Sequence, residues 1–267
     1  MNNKTIYVAL KPDQNGLIHY SQENHETWKF LYNRQCALIQ TRACVEFLDG
    51  IQRLNLSAEH IPQCVEVSQA LQKCTGWSVQ PVDALISFKQ FFEMLANRIF
   101  PAATFIRRKE EIDYLKEPDI FHELFGHCPM LTLPAFAGFT HEVGKLGMTL
   151  NKEERAALAR LYWFTVEFGL IQTRDGLRIY GGGILSSKEE SIYALESPIP
   201  KRQHFDLMTV LRTPYRYDEL QKKYFVIDCF QNLFDLLKTD LKDIFAQVKE
   251  LGVFDVNDPN LEDVRSC

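Results

Sequence analysis

The sequence is short of most features that would send its function elsewhere. Its seven cysteines (positions 36, 44, 64, 74, 128, 229 and 267) are scattered, odd in number and never arranged as CxxC. That excludes a disulfide scaffold and a structural zinc ribbon, and fits reduced thiols in a cytoplasmic protein. Positive charge is in deficit, with 30 Lys and Arg against 35 Asp and Glu, which leaves no basic footprint for nucleic acid. No apolar run approaches the roughly 18 residues of a membrane span. The opening MNNKTIYVALKPDQNG has no basic stretch followed by an apolar one, so a secretory signal is not expected. Internal repeats and low-complexity blocks are also missing. What remains is an ordinary soluble composition, 46% apolar and 24% charged, long enough to bury a sizeable core.

Apolar spacing predicts a mainly α fold: a single helical catalytic domain with a few short β-strands. Residues 1–20 read as a flexible, exposed arm, 21–255 as the domain, and 256–267 as an acidic tail. Within the domain, Trp28, Leu31, Ile39, Ala43 and Phe47 predict one long helix from Ser21 to near Gly50. Further helices are expected over 64–74, 87–98, from Pro118 to Gly126, over 153–169 and over 230–251. Short extended pieces are expected at 177–180, 184–185, 208–211 and 224–227.

One carboxylate stands out. Glu167 interrupts the apolar run LYWFTVEFGL at 161–170, where an ionised and unpaired group would cost several kcal/mol. A divalent metal shared with His122 and His127 of PDIFHELFGHCP would remove that cost. Two histidines and one carboxylate, with coordination positions left open, are the ligand set of non-haem Fe(II) oxygenases. The pair is no HExxH zinc motif, which needs histidines four apart. Five apart, they diverge by about 140° on an ideal helix, so both rings reach one metal only where the helix ends or distorts, a freedom Gly126 supplies. The plainer alternative is one core and one capping histidine. A zinc hydrolase with Glu123 as general base, and a binding protein that keeps the fold without the chemistry, also stay open. His141-Glu142 reads as surface, and His19, His25, His60 and His204 have no partner at ligand spacing.

Beyond that site, SQALQKCTGW at 68–77 with Pro81-Val82, Phe105-Ile106-Arg107, EPDIFHELFGHCP at 117–129, LYWFTVEFGL at 161–170 and YGGGILSS at 180–187 share one pattern. In order and spacing, across roughly residues 20–250, it resembles the tetrahydropterin-dependent aromatic amino acid hydroxylases in their short bacterial form. The resemblance implies para-hydroxylation of L-phenylalanine to L-tyrosine by O2 and tetrahydrobiopterin or a related reduced pterin. It implies Fe(II) on His122, His127 and Glu167. The same chemistry on tyrosine or tryptophan is the near variant.

It also implies roles for other residues. Arg107 matches the arginine that pairs with the substrate carboxylate, and Trp163 an aromatic wall of the substrate pocket. Gly183 and Ser186 match its floor and a polar contact. Phe91 matches the ring that stacks on the pterin, and Ile86, Glu123, Ala159 and Tyr162 match other residues lining that cofactor. Two departures are Leu115-Lys116 before Glu117-Pro118-Asp119, and Lys222-Lys223 after Gln221. This length leaves no counterpart for the animal enzymes' regulatory domain or tetramerising helix. The expected partners are therefore small molecules, in a monomer or homodimer.

Overall fold

The computed structural model describes residues 7–83, 86–113, 117–237 and 241–255. The Leu115-Lys116 departure and the predicted tail at 256–267 lie outside these. The architecture is mainly α. In chain order come α1 (Gln22–Ile39), α2 (Val45–Arg53), α3 (Cys64–Thr75), β1 (Ser78–Val82), α4 (Phe88–Ala96) and β2 (Ile99–Ala103). After the segment that carries both histidines come α5 (Pro134–Thr149), α6 (Lys152–Tyr162), β3 (Leu170–Thr173), β4 (Gly176–Ile179), α7 (Gly182–Leu185) and α8 (Lys188–Glu196). β5 (Lys201–His204), α9 (Leu207–Arg212), β6 (Lys223–Ile227), α10 (Phe230–Leu236) and α11 (Lys242–Leu251) complete it.

The sheets are small. β1 and β2 pair in parallel, and a four-stranded sheet has the order β4-β3-β6-β5, with only β3–β4 antiparallel. The core is aromatic, with Trp28, Phe47, Phe121, Phe125, Phe139, Tyr180 and Phe225 all fully buried. No helix of the described residues is long and apolar enough to cross a membrane.

Several expectations change for local reasons. The long first helix is two helices, because residues 42–44 leave helical geometry to pair with the strand at Ile179: Cys44 N–H donates to Ile179 O at 2.9 Å and Ile179 N–H to Arg42 O at 2.8 Å. Ser21 caps α1, its hydroxyl accepting from Asn24 N–H. Residues 208–211 are helical, not extended, since the Asp206 carboxylate caps α9 by accepting from Thr209 N–H at 2.8 Å. Residues 184–185 fall in α7, a single helical turn. The predicted 230–251 helix is two helices.

The predicted loose arm is tied down over its described part. Tyr7 stacks on Phe105 with ring centroids 4.6 Å apart, Thr104 donates to Leu10 O, and Gln63 brackets Ile18 through both backbone groups. Helix α5 and the helix α8 were not legible at all.

Candidate metal centre and its flanking cavities

The segment that carries the two histidines does not start where proline suggested. Pro118 lies outside the helix. Asp119 acts as the cap, its carboxylate accepting from His122 N–H at 3.0 Å. From His122 to His127 the backbone is a π-helix, closed by Cys128 N–H donating to Glu123 O at 3.3 Å. A second π-turn runs from Trp163 to Glu167, closed by Phe168 N–H donating to Trp163 O at 2.8 Å. Widened turns of this kind concentrate at functional sites. Here the widening resolves the spacing problem, because residues five apart come nearly over one another. The Nε2 atoms of His122 and His127 are 2.9 Å apart.

Glu167 completes the cluster. Its Oε2 lies 3.3 Å from His127 Nε2 and 3.7 Å from His122 Nε2. Atoms that share one ion through bonds of roughly 2.1 Å at right angles stand about 3.0 Å apart, so the three donors fit a single cation. Glu123 also lies near, with one ligand atom of each of His122, Glu123 and His127 within 4.8 Å of the others. Of the two carboxylates, Glu167 brings one oxygen within 3.7 Å of both imidazole Nε2 atoms, while Glu123 accepts a backbone hydrogen bond from Ala103.

Hydrogen bonding sets the His122 tautomer. Ser186 Oγ donates to Gly182 O at 2.9 Å and lies 2.9 Å from His122 Nδ1. With its proton spent, that hydroxyl accepts from Nδ1–H, which leaves the Nε2 lone pair facing His127 and Glu167. On the other side, the second member of the triple glycine lets backbone reach the His127 ring. A Cβ on Gly182 would sit 2.5 Å from His127 Nδ1. His127 Nδ1 is buried and has no hydrogen-bond partner among the described residues.

Electrostatics tell the same story. Burial, aided by His127, pushes the His122 imidazole down to about 4, so it is neutral near pH 7, as a ligand must be. For His127 burial again opposes the charged form, but the Glu167 carboxylate outweighs it and the pKa rises. Burial would raise Glu167, yet His127 attracts and hydrogen-bonds it, and the net effect is a lowered pKa. Glu167 and His127 thus stabilise one another's charged forms. Burial pushes the Glu123 carboxyl up to about 8.

Two cavities meet at His122 and Glu167, and both are also bounded by Trp163. The larger, about 490 Å³, is lined by Arg107, Gly183 and Ser186. The smaller, about 280 Å³, is lined by Ile86, Phe91, Glu123, Ala159 and Tyr162, together with His127. The residues matched to a substrate thus border one space, and those matched to a cofactor border the other. In the smaller cavity the Phe91 ring meets Tyr162 edge-on at 5.1 Å. In the larger, Arg107 is buried and gripped by Asp119: Nε to Oδ2 at 2.8 Å and Nη2 to Oδ1 at 2.9 Å. Of five N–H donors two are so used, which keeps the Nη1 edge for an anionic ligand.

A family model described as biopterin-dependent aromatic amino acid hydroxylase matches residues 8–251. The chain belongs to this family. Within it, a phenylalanine-4-hydroxylase of Pseudomonas aeruginosa is 54% identical over 249 residues, spanning 93% of this chain and 95% of its own. The solved phenylalanine hydroxylase of Legionella pneumophila superposes with a TM-score of 0.90 at 52% identity, covering 93% of this chain and 98% of that one. The Chromobacterium violaceum enzyme, solved with iron(III) and the oxidised cofactor 7,8-dihydrobiopterin, gives 0.87 at 46%, covering 94% and 89%.

Asp119, Tyr215, Glu190 and Gln221 escaped the sequence reading. Asp119 had a local signal, an acidic residue three before a helical histidine. Tyr215 and Gln221 contact Trp163 and Glu190 contacts Gln221, all through tertiary packing that carries no local signal. The histidines set aside lie away from the centre: His25 Nδ1 accepts from Ile61 N–H, His204 pairs with Asp228, and His141 approaches Leu95 O.

Proposed function

We propose that this hydroxylase converts L-phenylalanine to L-tyrosine with O2, a reduced pterin such as tetrahydrobiopterin, and Fe(II) on His122, His127 and Glu167. The observation that carries the reading is the convergence of those three donors where two separate cavities meet. One cavity suits an amino acid with an anionic end, the other a flat heterocycle. Iron and the reduced pterin together supply the electrons that let O2 react with a closed-shell aromatic ring.

The chain's own residues bind and orient. Arg107, braced by Asp119, takes the substrate carboxylate through its remaining fork. Trp163 walls the ring, Gly183 leaves room beneath it, and Ser186 orients His122 while facing the same space. Phe91 offers its face to the pterin, with Ile86, Ala159 and Tyr162 as apolar sides. Glu123 offers an oxygen to pterin N–H groups. Crowding by these aromatic walls excludes water from the reacting atoms.

The test is metal analysis coupled to turnover. Iron-loaded protein should form tyrosine from phenylalanine in air with tetrahydrobiopterin and none under anaerobic conditions. Oxidation of pterin without tyrosine overturns the assignment. Competition among phenylalanine, tyrosine and tryptophan decides the ring, since pocket shape discriminates by only about 1–3 kcal/mol per methylene-sized change. A reducing, cytoplasmic setting suits the free cysteines, and we expect a monomer or homodimer.

A further inference from the structure

The indole of Trp163 is held from three directions. Tyr215 stacks on it at 4.2 Å with planes 13° apart, and Phe168 lies tilted at 4.6 Å. Stacking confines the plane but permits sliding and rotation within it. The third contact removes that freedom: Nε1–H donates to Gln221 Oε1 at 3.0 Å.

Gln221 has little freedom of its own. Its Nε2 donates to the carbonyls of Arg216 at 2.7 Å and Glu219 at 3.2 Å, which settles the carboxamide orientation and leaves Oε1 as the acceptor. Its backbone N–H donates to Glu190 Oε1 at 3.1 Å, and the Tyr224 hydroxyl donates to the same oxygen. Gln221 and Glu190 are each only 5% exposed. One side chain therefore laces the connection between α9 and β6 into a closed turn. That turn delivers both Tyr215 and Gln221 to the same indole. Trp163, Gln221 and Glu190 all border the larger cavity.

We propose that Gln221 is a positioning residue that acts through Trp163 to set the shape of the cavity that receives the amino acid's ring. The proposal rests on the reading of the larger cavity as the amino acid site. It goes beyond the ligands of that site to name what fixes its wall. Removing the carboxamide strands a buried indole N–H and two turn carbonyls, so the wall loses its registration while iron and pterin contacts stay in place.

Gln221→Met tests it, because methionine keeps the length and apolar bulk and removes only the hydrogen bonds. In iron-loaded protein, KM for phenylalanine should rise about tenfold while kcat stays within about twofold. In a Trp163→Phe background, the same substitution should change KM by less than about twofold. An equal effect in both backgrounds overturns the proposal, because Gln221 would then not act through the indole.

A second readout needs no turnover. Trp28 and Trp77 are fully buried, so the Trp163→Phe spectrum supplies their share of the emission. The remaining Trp163 emission should shift in Gln221→Met. Superimposable Trp163 spectra for parent and Gln221→Met overturn the proposal even in a protein that makes no tyrosine. Absence of tyrosine formation by the parent overturns the substrate reading instead.

Discussion

His122 Nδ1 lies 2.9 Å from Ser186 Oγ, and the serine proton is committed to the Gly182 carbonyl. The hydroxyl thus works as an acceptor that holds one imidazole tautomer and aims its other nitrogen at Glu167 and His127. Outer contacts of this kind are worth about 10–100-fold in metal affinity. Ser186→Ala should therefore weaken iron binding by about that factor while the circular dichroism spectrum is retained. Titration of iron against a competing chelator measures it, and unchanged affinity would remove the serine from the metal's support.

The Arg107–Asp119 pair makes a different kind of prediction. Asp119 is fully buried and spends its oxygens on Arg107 and on His122 N–H. Burial alone would raise its pKa, but attraction by the arginine holds the carboxyl below the usual range. Asp119→Ala leaves a buried guanidinium without its counter-charge, a loss of about 3–5 kcal/mol in a urea melt. Arg107→Lys keeps the charge but not the fork. Its expected signature is a raised KM for phenylalanine with a smaller change in kcat. A fall in kcat alone would argue against a carboxylate clamp.

How much of this was legible in advance depends on where the information lies. Glu167 announced itself through its neighbours, since a carboxylate between Val166 and Phe168 needs a partner. The histidine pair announced less, because five-residue spacing points two ways on an α-helix and only the π-turn brings the rings together. Helix α5 was hidden by its glycines, which depress helix propensity. They are there for packing: a Cβ on Gly144 would lie 2.3 Å from Ala96 N, and one on Gly147 2.4 Å from the Phe92 ring. Residues 208–211 misled in the opposite sense, since a short run of three apolar residues and a threonine fits either element and the Asp206 cap decides. Strands β1 and β2 were missed because each carries a proline, Pro81 or Pro101, which weakens a strand pattern, yet the two prolines sit in a two-stranded sheet where each strand has a free edge.

Glu190 predicts a pH effect on stability. Burial raises its carboxyl above the ordinary 4.5, although Tyr224 O–H and Gln221 N–H both donate to it and pull the other way. A folded-state pKa above the unfolded one means the folded chain binds the proton more tightly. This group's contribution is then fully present below pH 4.5 and is lost as pH rises through the raised value. Glu190→Gln removes the titration and keeps an acceptor oxygen. The melting temperature of the variant minus that of the parent should accordingly become more positive from pH 5 to pH 7.5. A difference that is flat, or that falls with pH, contradicts the assignment.

Gly182 tests whether the iron site depends on backbone approach and not on ligands alone. The triple glycine brings α7 against both π-turns: a Cβ on Gly182 would lie 2.5 Å from His127 Nδ1 and 2.9 Å from Gly126 O. Neither neighbour is the loose end of a flexible chain, since His127 is buried and Gly126 is backbone inside the π-helix. Gly182→Ala must then displace the imidazole or push the two segments apart, at a cost of about 1–3 kcal/mol. Because the ring that moves is a proposed ligand, iron content should fall more steeply than thermal stability. Metal analysis beside a melting curve on the same sample separates the two losses. Full iron occupancy in Gly182→Ala would show that the ring can yield without leaving the metal, and would return His127 to a packing role.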